Sequence, residues 1–487
     1  LFLLPQMIRE HFDNVTIGFF LHIPFPSYEV FRLLPWRREL IEGMLGADLV
    51  GFHTYDYQRH FISAARRITG YESVFHEIYL RKRYVRVDVF PMGIDYDKFY
   101  QKALEKANTP LSQKSRTRQA ISNYIKQDKD RRIILSIDRL DYSKGIPNRL
   151  LAYEKFLEKY PSARGKVILI MIAVPSRTTV DHYQQLKRDV DELVGRINGK
   201  FGTLNWMPIW YMFRSFNFDR LIELYKASHI MLVTPVRDGM NLIAKEYLAT
   251  KVDKKGVLIL SEMAGAVKEL GEALIVNPNN INEMADAMHE AINLGEEDQI
   301  AGNTMMQKRL KRYDVQRWAR DFMLRLTETR EEYEKFLSKK INPGIEKQII
   351  DDYQKAGKRL LLLDYDGTLT GFKTNPARAF PDKEVKSIIS KLSANKQNRL
   401  VIISGRDKAT LDKWFSGFNI HMVAEHGVWS YGPGKEWQTI EPLHNEWKEE
   451  IRPVLEVFVD RTPGAFIEEK NYSLVWHYRK AEPDFGN

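Results

Sequence analysis

No cysteine occurs in the 487 residues, which rules out disulfides, thiolate nucleophiles and cysteine-ligated metal sites within this chain. No run approaches the roughly 18 uninterrupted apolar residues that a membrane-spanning helix needs. The longest candidates, such as Val167 to Val174, have the length of a strand. Dense Lys/Arg tracts and aromatic-interleaved basic stripes are also missing, so the net charge of +10 fits small anionic substrates better than nucleic acid. There is no repeat of solenoid period and no low-complexity tract. An initiator methionine is lacking at Leu1, and the chain stops at Asn487 directly after Pro-Asp-Phe-Gly, so it reads as an internal fragment. The expectation is a cytoplasmic protein without membrane or nucleic-acid partners; assembly into homo-oligomers stays open.

What is present is an alternation of short apolar strands with longer amphipathic helices, the pattern of parallel sheets covered by helices. Strands are expected at Thr16 to Leu21, Leu49 to Gly51, Val85 to Val89, Ile133 to Ile137, Val167 to Ala173, Ile230 to Val233, Gly256 to Leu260 and Ala273 to Val276, with a further one at Leu360 to Leu363. The polar segment Asn108 to Arg131 separates two such series and is expected to link them through a helix outside either core. Gln307 to Lys340 is charged and helical in pattern, able to run along a surface or to cross back to the first series. Asn342-Pro-Gly344 then marks the sharpest boundary. The length suits three compact domains. The expected division is 1–107, 108–340, a linker at 341–357, and 358–487.

Three segments carry the chemistry of the first two domains. Arg139 and Lys144, in Asp138-Arg-Leu-Asp-Tyr-Ser-Lys-Gly145, follow a strand where an open α/β sheet binds ligands, and two cations there suit a diphosphate. A solvated basic loop explains the same residues. Thr234-Pro-Val-Arg-Asp-Gly-Met-Asn-Leu242 leads from another strand into a helix. Its backbone N–H groups can face a phosphate or sugar, Asp238 can accept from hydroxyls, and Glu246, about two turns on, suits a ribose diol. An ordinary helix cap is the competing account. His22 closes the first strand and can donate to a sugar hydroxyl, or be a satisfied core histidine.

Together with Leu45-Gly-Ala-Asp-Leu-Val-Gly-Phe-His-Thr, Phe90-Pro-Met-Gly-Ile-Asp, Arg196-Ile-Asn-Gly-Lys-Phe-Gly and Ile275-Val-Asn-Pro, these segments resemble the trehalose-6-phosphate synthase family over Leu1 to Lys340. The resemblance implies a GT-B pair of Rossmann domains, the first incomplete. It also implies retaining transfer of glucose from UDP-glucose to glucose 6-phosphate without a cofactor. By motif position it places Arg139 and Lys144 on the donor diphosphate and Glu246 on the ribose. Asp238, Gly239, Met240, Asn241 and Leu242 fall on donor glucose and diphosphate, His22 on donor glucose and Arg177 on the acceptor phosphate. The family's glycine-rich loop and several acceptor-contacting residues would precede Leu1.

The strand Leu360 to Leu363 runs into Asp364-Tyr-Asp-Gly-Thr368, and Val401-Ile-Ile-Ser-Gly-Arg supplies a second phosphate-facing loop. One aspartate can act as nucleophile and a second as acid/base, with a divalent cation neutralising phosphate oxygens. With Ala424-Glu-His-Gly427 and Ser473-Leu-Val-Trp-His-Tyr-Arg479, these resemble the haloacid dehalogenase-like superfamily and, within it, trehalose-6-phosphate phosphatases. The resemblance implies a truncated Rossmannoid domain with an α+β cap, acting on trehalose 6-phosphate. Asp364 would be phosphoryl acceptor and Asp366 general acid/base. Mg2+ would sit on Asp364 and the Asp366 carbonyl, with Thr368 and Ser404 on phosphate and Lys470, His477 and Arg479 as sugar-site candidates in the cap. The family's later lysine and acidic magnesium loop would follow Asn487. Two other readings stay open: a synthase whose phosphatase-like domain is inactive, and a non-catalytic sensor of trehalose 6-phosphate.

Overall fold

The computed structural model describes residues 1–12, 14–80, 83–108, 110, 115–128, 130–176, 180–338, 343–371, 379–439, 444–462 and 465–477. The chain divides into two compact units, Leu1–Tyr333 and Glu334–Asn487. No helix among the described residues is long and apolar enough to cross a membrane.

The first unit holds two sheets. In the first, strands β1 (Gly18–Leu21), β2 (Leu49–Phe52), β3 (Glu72–Val74), β4 (Glu77–Tyr79) and β5 (Tyr84–Val89) lie in the order β1-β2-β5-β4-β3. β1, β2 and β5 are parallel, and β4 and β3 are added as an antiparallel hairpin. The second sheet is parallel throughout. It comprises β6 (Arg132–Arg139), β7 (Val167–Val174), β8 (Ile209–Phe213), β9 (Ile230–Val233), β10 (Val257–Ser261) and β11 (Leu274–Val276), ordered β11-β10-β9-β6-β7-β8. β6, β7 and β9 are nearly continuous runs of buried Ile, Leu and Val, as helices on both faces of a parallel sheet require. The edge strand β8, Ile-Trp-Tyr-Met-Phe, was not anticipated: it is aromatic and only half-buried, so it lacks the aliphatic signature of its neighbours.

Two helices differ from expectation. Arg116–Lys126 is no free linker, because Ile121 and Tyr124, three residues apart on one face, are buried in the core of the second sheet. The charged run after Gln307 is two helices, Glu296–Arg312 and Val315–Ser338, broken where the Val315 N–H donates to Ile94 O. The second helix crosses back to the first sheet. There the Trp318 indole donates to Phe90 O at 3.2 Å, and Trp318 and Phe322, one turn apart, pack edge-on against Phe20. The break expected at Asn342-Pro-Gly344 falls largely outside the described residues, and a helix spans Pro343–Lys355.

In the second unit, β12 (Arg359–Asp364), β13 (Asn398–Ile403) and β14 (His421–Ala424) are parallel, and β15 (Trp429–Tyr431) and β16 (Gln438–Thr439) extend the sheet antiparallel in chain order. A separate hairpin, β17 (Phe466–Glu469) and β18 (Leu474–His477), packs with the helix Trp447–Arg461 as an α+β layer.

Candidate active sites

In the first unit the polar groups gather where β6 and β9 end. Asp138 turns inward and pairs with Arg149 at 2.9 Å, both fully buried. Burial pushes the Asp138 carboxyl up, opposed by Arg149 and Lys144. Arg139, the last strand residue, is exposed. Asp141 then closes a tight turn, accepting from the Ser143 N–H at 2.9 Å, the Ser143 hydroxyl at 2.7 Å and the Tyr183 hydroxyl at 3.0 Å. Burial acts upward on the Asp141 carboxyl, but these donors outweigh it and hold the group below its ordinary range. The turn delivers Lys144, whose ammonium lies 2.5 Å from Asp238 Oδ2.

Asp238 is fixed by its backbone. Its N–H donates to Met263 O, and its carbonyl accepts from Gly265 N and the Tyr57 hydroxyl. Asn241 donates to its carboxylate at 3.0 Å and, with φ of 72°, caps the helix Leu242–Thr250 by accepting from Ala244 N. A short polar side chain tolerates that left-handed conformation, and the cap leaves a helix N-terminus facing the cluster. Glu246 lies one turn inside, accepting from the Tyr225 hydroxyl at 2.9 Å; burial pushes its carboxyl up against that bond.

Gly239 brings the two sheets together. A Cβ there would stand 2.0 Å from His22 O and 3.3 Å from His53 Cδ2, and one on Gly265 would stand 2.0 Å from Gly239 O. Only glycine permits such backbone approach. His22 is therefore adjacent to the Asp238 loop, 216 residues later in the chain. Burial lowers the proton affinity of His22, and burial together with His22 and Lys245 takes His53 down to about 3. A cation held by a carboxylate at the carboxyl ends of parallel strands, beside a helix N-terminus, is a site that an anionic ligand can enter by taking over the lysine.

The second unit repeats the strand-end carboxylate in another form. Asp364 ends β12 exposed, with the Thr368 hydroxyl donating to Oδ2 at 2.9 Å. Asp366 accepts from Arg406 Nη2 at 2.7 Å, from Arg406 Nε at 3.0 Å and from the buried Ser404 hydroxyl at 3.3 Å. Lys470, from the β17–β18 turn, donates to Gly405 O at 2.7 Å, and His477 lies 2.7 Å from Glu468. Exposed Asp364 and the Asp366 loop offer the hard oxygen donors that a divalent cation prefers. No third carboxylate or histidine joins them among the described residues.

The glycosyltransferase family 20 model matches residues 1–328, about two thirds of the chain. The chain belongs to glycosyltransferase family 20. Residues 362–487 match the trehalose-phosphatase model. This family 20 chain is 42% identical over 487 residues to a bifunctional trehalose-6-phosphate synthase/phosphatase of Thermoproteus tenax, covering 99% of the chain and 65% of the relative. It is 41% identical over 492 residues to an alpha,alpha-trehalose-phosphate synthase (UDP-forming) of Dictyostelium discoideum, covering 100% and 65%. It therefore spans just under two thirds of the length of these relatives. A crystal structure of the Burkholderia xenovorans synthase in complex with glucose-6-phosphate superposes with a TM-score of 0.62 at 35% identity, covering 67% of this chain and 71% of that one. The α/β architecture is that of a GT-B transferase followed by a haloacid dehalogenase-like sheet.

Within this family 20 fold, Lys144, Asp238, Gly239, Met240, Asn241 and Leu242 form one cluster with His22 at its edge, and Glu246 lies one turn along the adjoining helix. Arg139 stands at the strand end without a described ion pair. Arg177 and Arg479 lie outside the described residues. Asp364, Asp366, Thr368 and Ser404 converge, while Lys470 reaches the Ser404-Gly-Arg406 loop and His477 points to its own hairpin. Sequence reasoning missed Arg149, Tyr57, Tyr225 and the role of Arg406 as the partner of Asp366. Arg149 carried no local signal, since an arginine in a helix is ordinarily exposed and only its distant partners show that it is buried.

Proposed function

We propose that the whole protein transfers glucose from UDP-glucose to glucose 6-phosphate, giving α,α-trehalose 6-phosphate with retained configuration. We further propose that its second unit hydrolyses that product to trehalose. The observation that carries the transferase reading is the Lys144–Asp238 pair beside the helix cap at Asn241, pressed by Gly239 against His22. The diphosphate of the donor displaces Asp238 from Lys144, and Lys144 and Arg139 then stabilise the charge that develops as UDP leaves. Asp238, once released, accepts from donor-glucose hydroxyls, with His22 on the same sugar. The N–H groups of Gly239 to Leu242 face the diphosphate, and Glu246 holds the ribose. Acceptor oxygen and leaving phosphate occupy one face of an oxocarbenium-like transition state, and the phosphate takes the acceptor proton. Arg177 is assigned to the acceptor phosphate by motif position alone.

In the phosphatase unit, Asp364 attacks phosphorus, the P–O bond to the sugar breaks, and Asp366 supplies the proton to the leaving hydroxyl. Thr368 and Ser404 orient the phosphate. The aspartyl phosphate is then hydrolysed by water deprotonated at Asp366. Asp364 and the Asp366 carbonyl would hold Mg2+, which would neutralise phosphate oxygens. A second reading, a phosphatase-like unit that binds without turnover, is favoured by one observation: Arg406 occupies both Asp366 oxygens and must turn away before Asp366 can carry a proton.

Calorimetry with UDP tests the transferase assignment. Glu246→Gln should weaken UDP more than free diphosphate, and equal loss for both would remove Glu246 from the ribose. Conversion of UDP-glucose and glucose 6-phosphate by the full-length protein tests the reaction itself.

A further inference from the structure

We propose that a cavity at the hinge of the transferase unit is a second anion site, which takes a phosphate-bearing small molecule. The cavity measures about 530 Å³ and is lined by Lys268, Glu269, Arg309, Arg312, Tyr313 and Arg317, within the range of small-molecule sites. It opens where the Glu296–Arg312 helix gives way to Val315–Ser338. At this place the backbone between the two helices locks onto the segment that leads from β5 into the core of the second sheet. Val315 N donates to Ile94 O, and a Cβ on Gly93 would stand 2.5 Å from the Asp314 carbonyl carbon.

The charges of the cavity are unevenly satisfied. Glu269 is taken by the fully buried Lys245, and Glu272 accepts from both terminal nitrogens of Arg309. That leaves Lys268, Arg312 and Arg317 facing one space. Lys268 lies 3.1 Å from Asp56 and Arg317 3.7 Å from Asp321, both pairs solvent-exposed, and Arg312 has no ion pair among the described residues. Exposed pairs contribute little and exchange readily, whereas a phosphate accepts charge-assisted bonds from two forked guanidinium groups at once.

Occupancy would be felt at the donor loop. Lys268 ends the turn Gly265–Lys268, in which Gly265 and Ala266 donate to Asp238 O and Met240 O. Its partner Asp56 belongs to the helix Tyr55–Thr69 on the first sheet. An anion that draws Lys268 from Asp56 removes a bridge between the two halves of the unit and weakens donor binding.

The test is a calorimetric titration of inorganic phosphate into full-length protein held in saturating UDP, so that the proposed donor diphosphate position is filled, while the proposed acceptor and phosphatase positions are common to parent and variant. One additional phosphate per chain beyond those positions is expected in the parent, bound at least about tenfold more weakly in the Arg312→Gln/Arg317→Gln double variant, whose replaced side chains are exposed. In a second arm, phosphate should weaken UDP binding more in the parent than in the double variant. Tighter binding of ribose 5-phosphate than of phosphate would identify a sugar phosphate as the occupant, and equal binding the free anion. Absence of the additional phosphate, or equal affinity in parent and double variant, overturns the proposal.

Discussion

Each unit ends an apolar strand on carboxylates and gives one of them a cationic partner, yet the two pairs are built differently. Lys144 and Asp238 come from turns 94 residues apart, with side chains only 13% and 15% exposed, and rest on the buried Arg149–Asp138 pair beneath. Asp366 and Arg406 follow two neighbouring strands, beside an Asp364 that faces solvent. The strand carrying Asp364 is equally open, with Leu360 and Leu362 about 60% and 59% exposed on one face. Burial makes the first pair part of the architecture as well as of the proposed chemistry. In the second unit the proposed nucleophile Asp364 is exposed, so proposed chemistry and stability are separable there.

The largest expected effect exploits that separation. Asp364→Asn in the full-length protein should reduce phosphate release from trehalose 6-phosphate on the order of 10⁴-fold while leaving glucosyl transfer and the thermal midpoint near the parent's. Phosphate release at the parent rate would exclude an aspartyl-phosphate route. The converse case is Arg149→Met, which strands Asp138 in the core. It should cost about 3 to 5 kcal/mol in urea unfolding of the transferase unit, and a cost below about 1 kcal/mol would mean that Asp138 is not held as a buried charge. Lys144→Ala lies between chemistry and structure and should lower transfer about 10²- to 10³-fold. If it proves wild-type-like in turnover, the diphosphate lies elsewhere.

The smallest effect concerns acid. His229 Nδ1 accepts from the Ile133 N–H at 3.1 Å, which a protonated ring cannot do. Burial, then Lys251 and Arg132, take its pKa from 6.5 down to about 4. The folded pKa is depressed, so its contribution to stability is complete above about pH 6.5 and is lost progressively as pH falls toward 4. His53, lowered to about 3, acts in the same sense. The transferase unit should weaken as pH falls through this window. His229→Gln should remove about 2 kcal/mol of the difference in unfolding free energy between pH 7 and pH 5. An unchanged pH slope would assign the acid sensitivity to other groups.

The sequence disclosed most of the fold and the local half of each site, for a physical reason. Strand-end motifs such as Asp364-Tyr-Asp366 and Arg237-Asp-Gly239 keep ligand-facing groups within a few residues, and buried parallel strands such as Ile230–Val233 announce themselves by composition. Long-range supports do not. Arg149 reads as a surface helix residue until Asp138, Ser136 and Thr234 surround it, and Tyr57 and His53 meet the Asp238 loop only when the two sheets close. The helix Arg116–Lys126 hid Ile121 and Tyr124 within a polar run. Arg406 is visible in the sequence as part of a loop, but its direction toward Asp366 depends on the pairing of β12 with β13.

The backbone stack of His22, Gly239 and Gly265 has a consequence for how this cleft can diversify. Three chain segments touch with no side chain between them, so alanine at either glycine would meet a carbonyl oxygen at 2.0 Å. Those two positions are closed to substitution, whatever donor is selected for. A library aimed at a new sugar or nucleotide should leave both glycines untouched and vary the surrounding rim, where Tyr142 is 71% exposed and Met263 is 42% exposed. The most closely packed part of the cleft is thus also the part that adaptive change must work around.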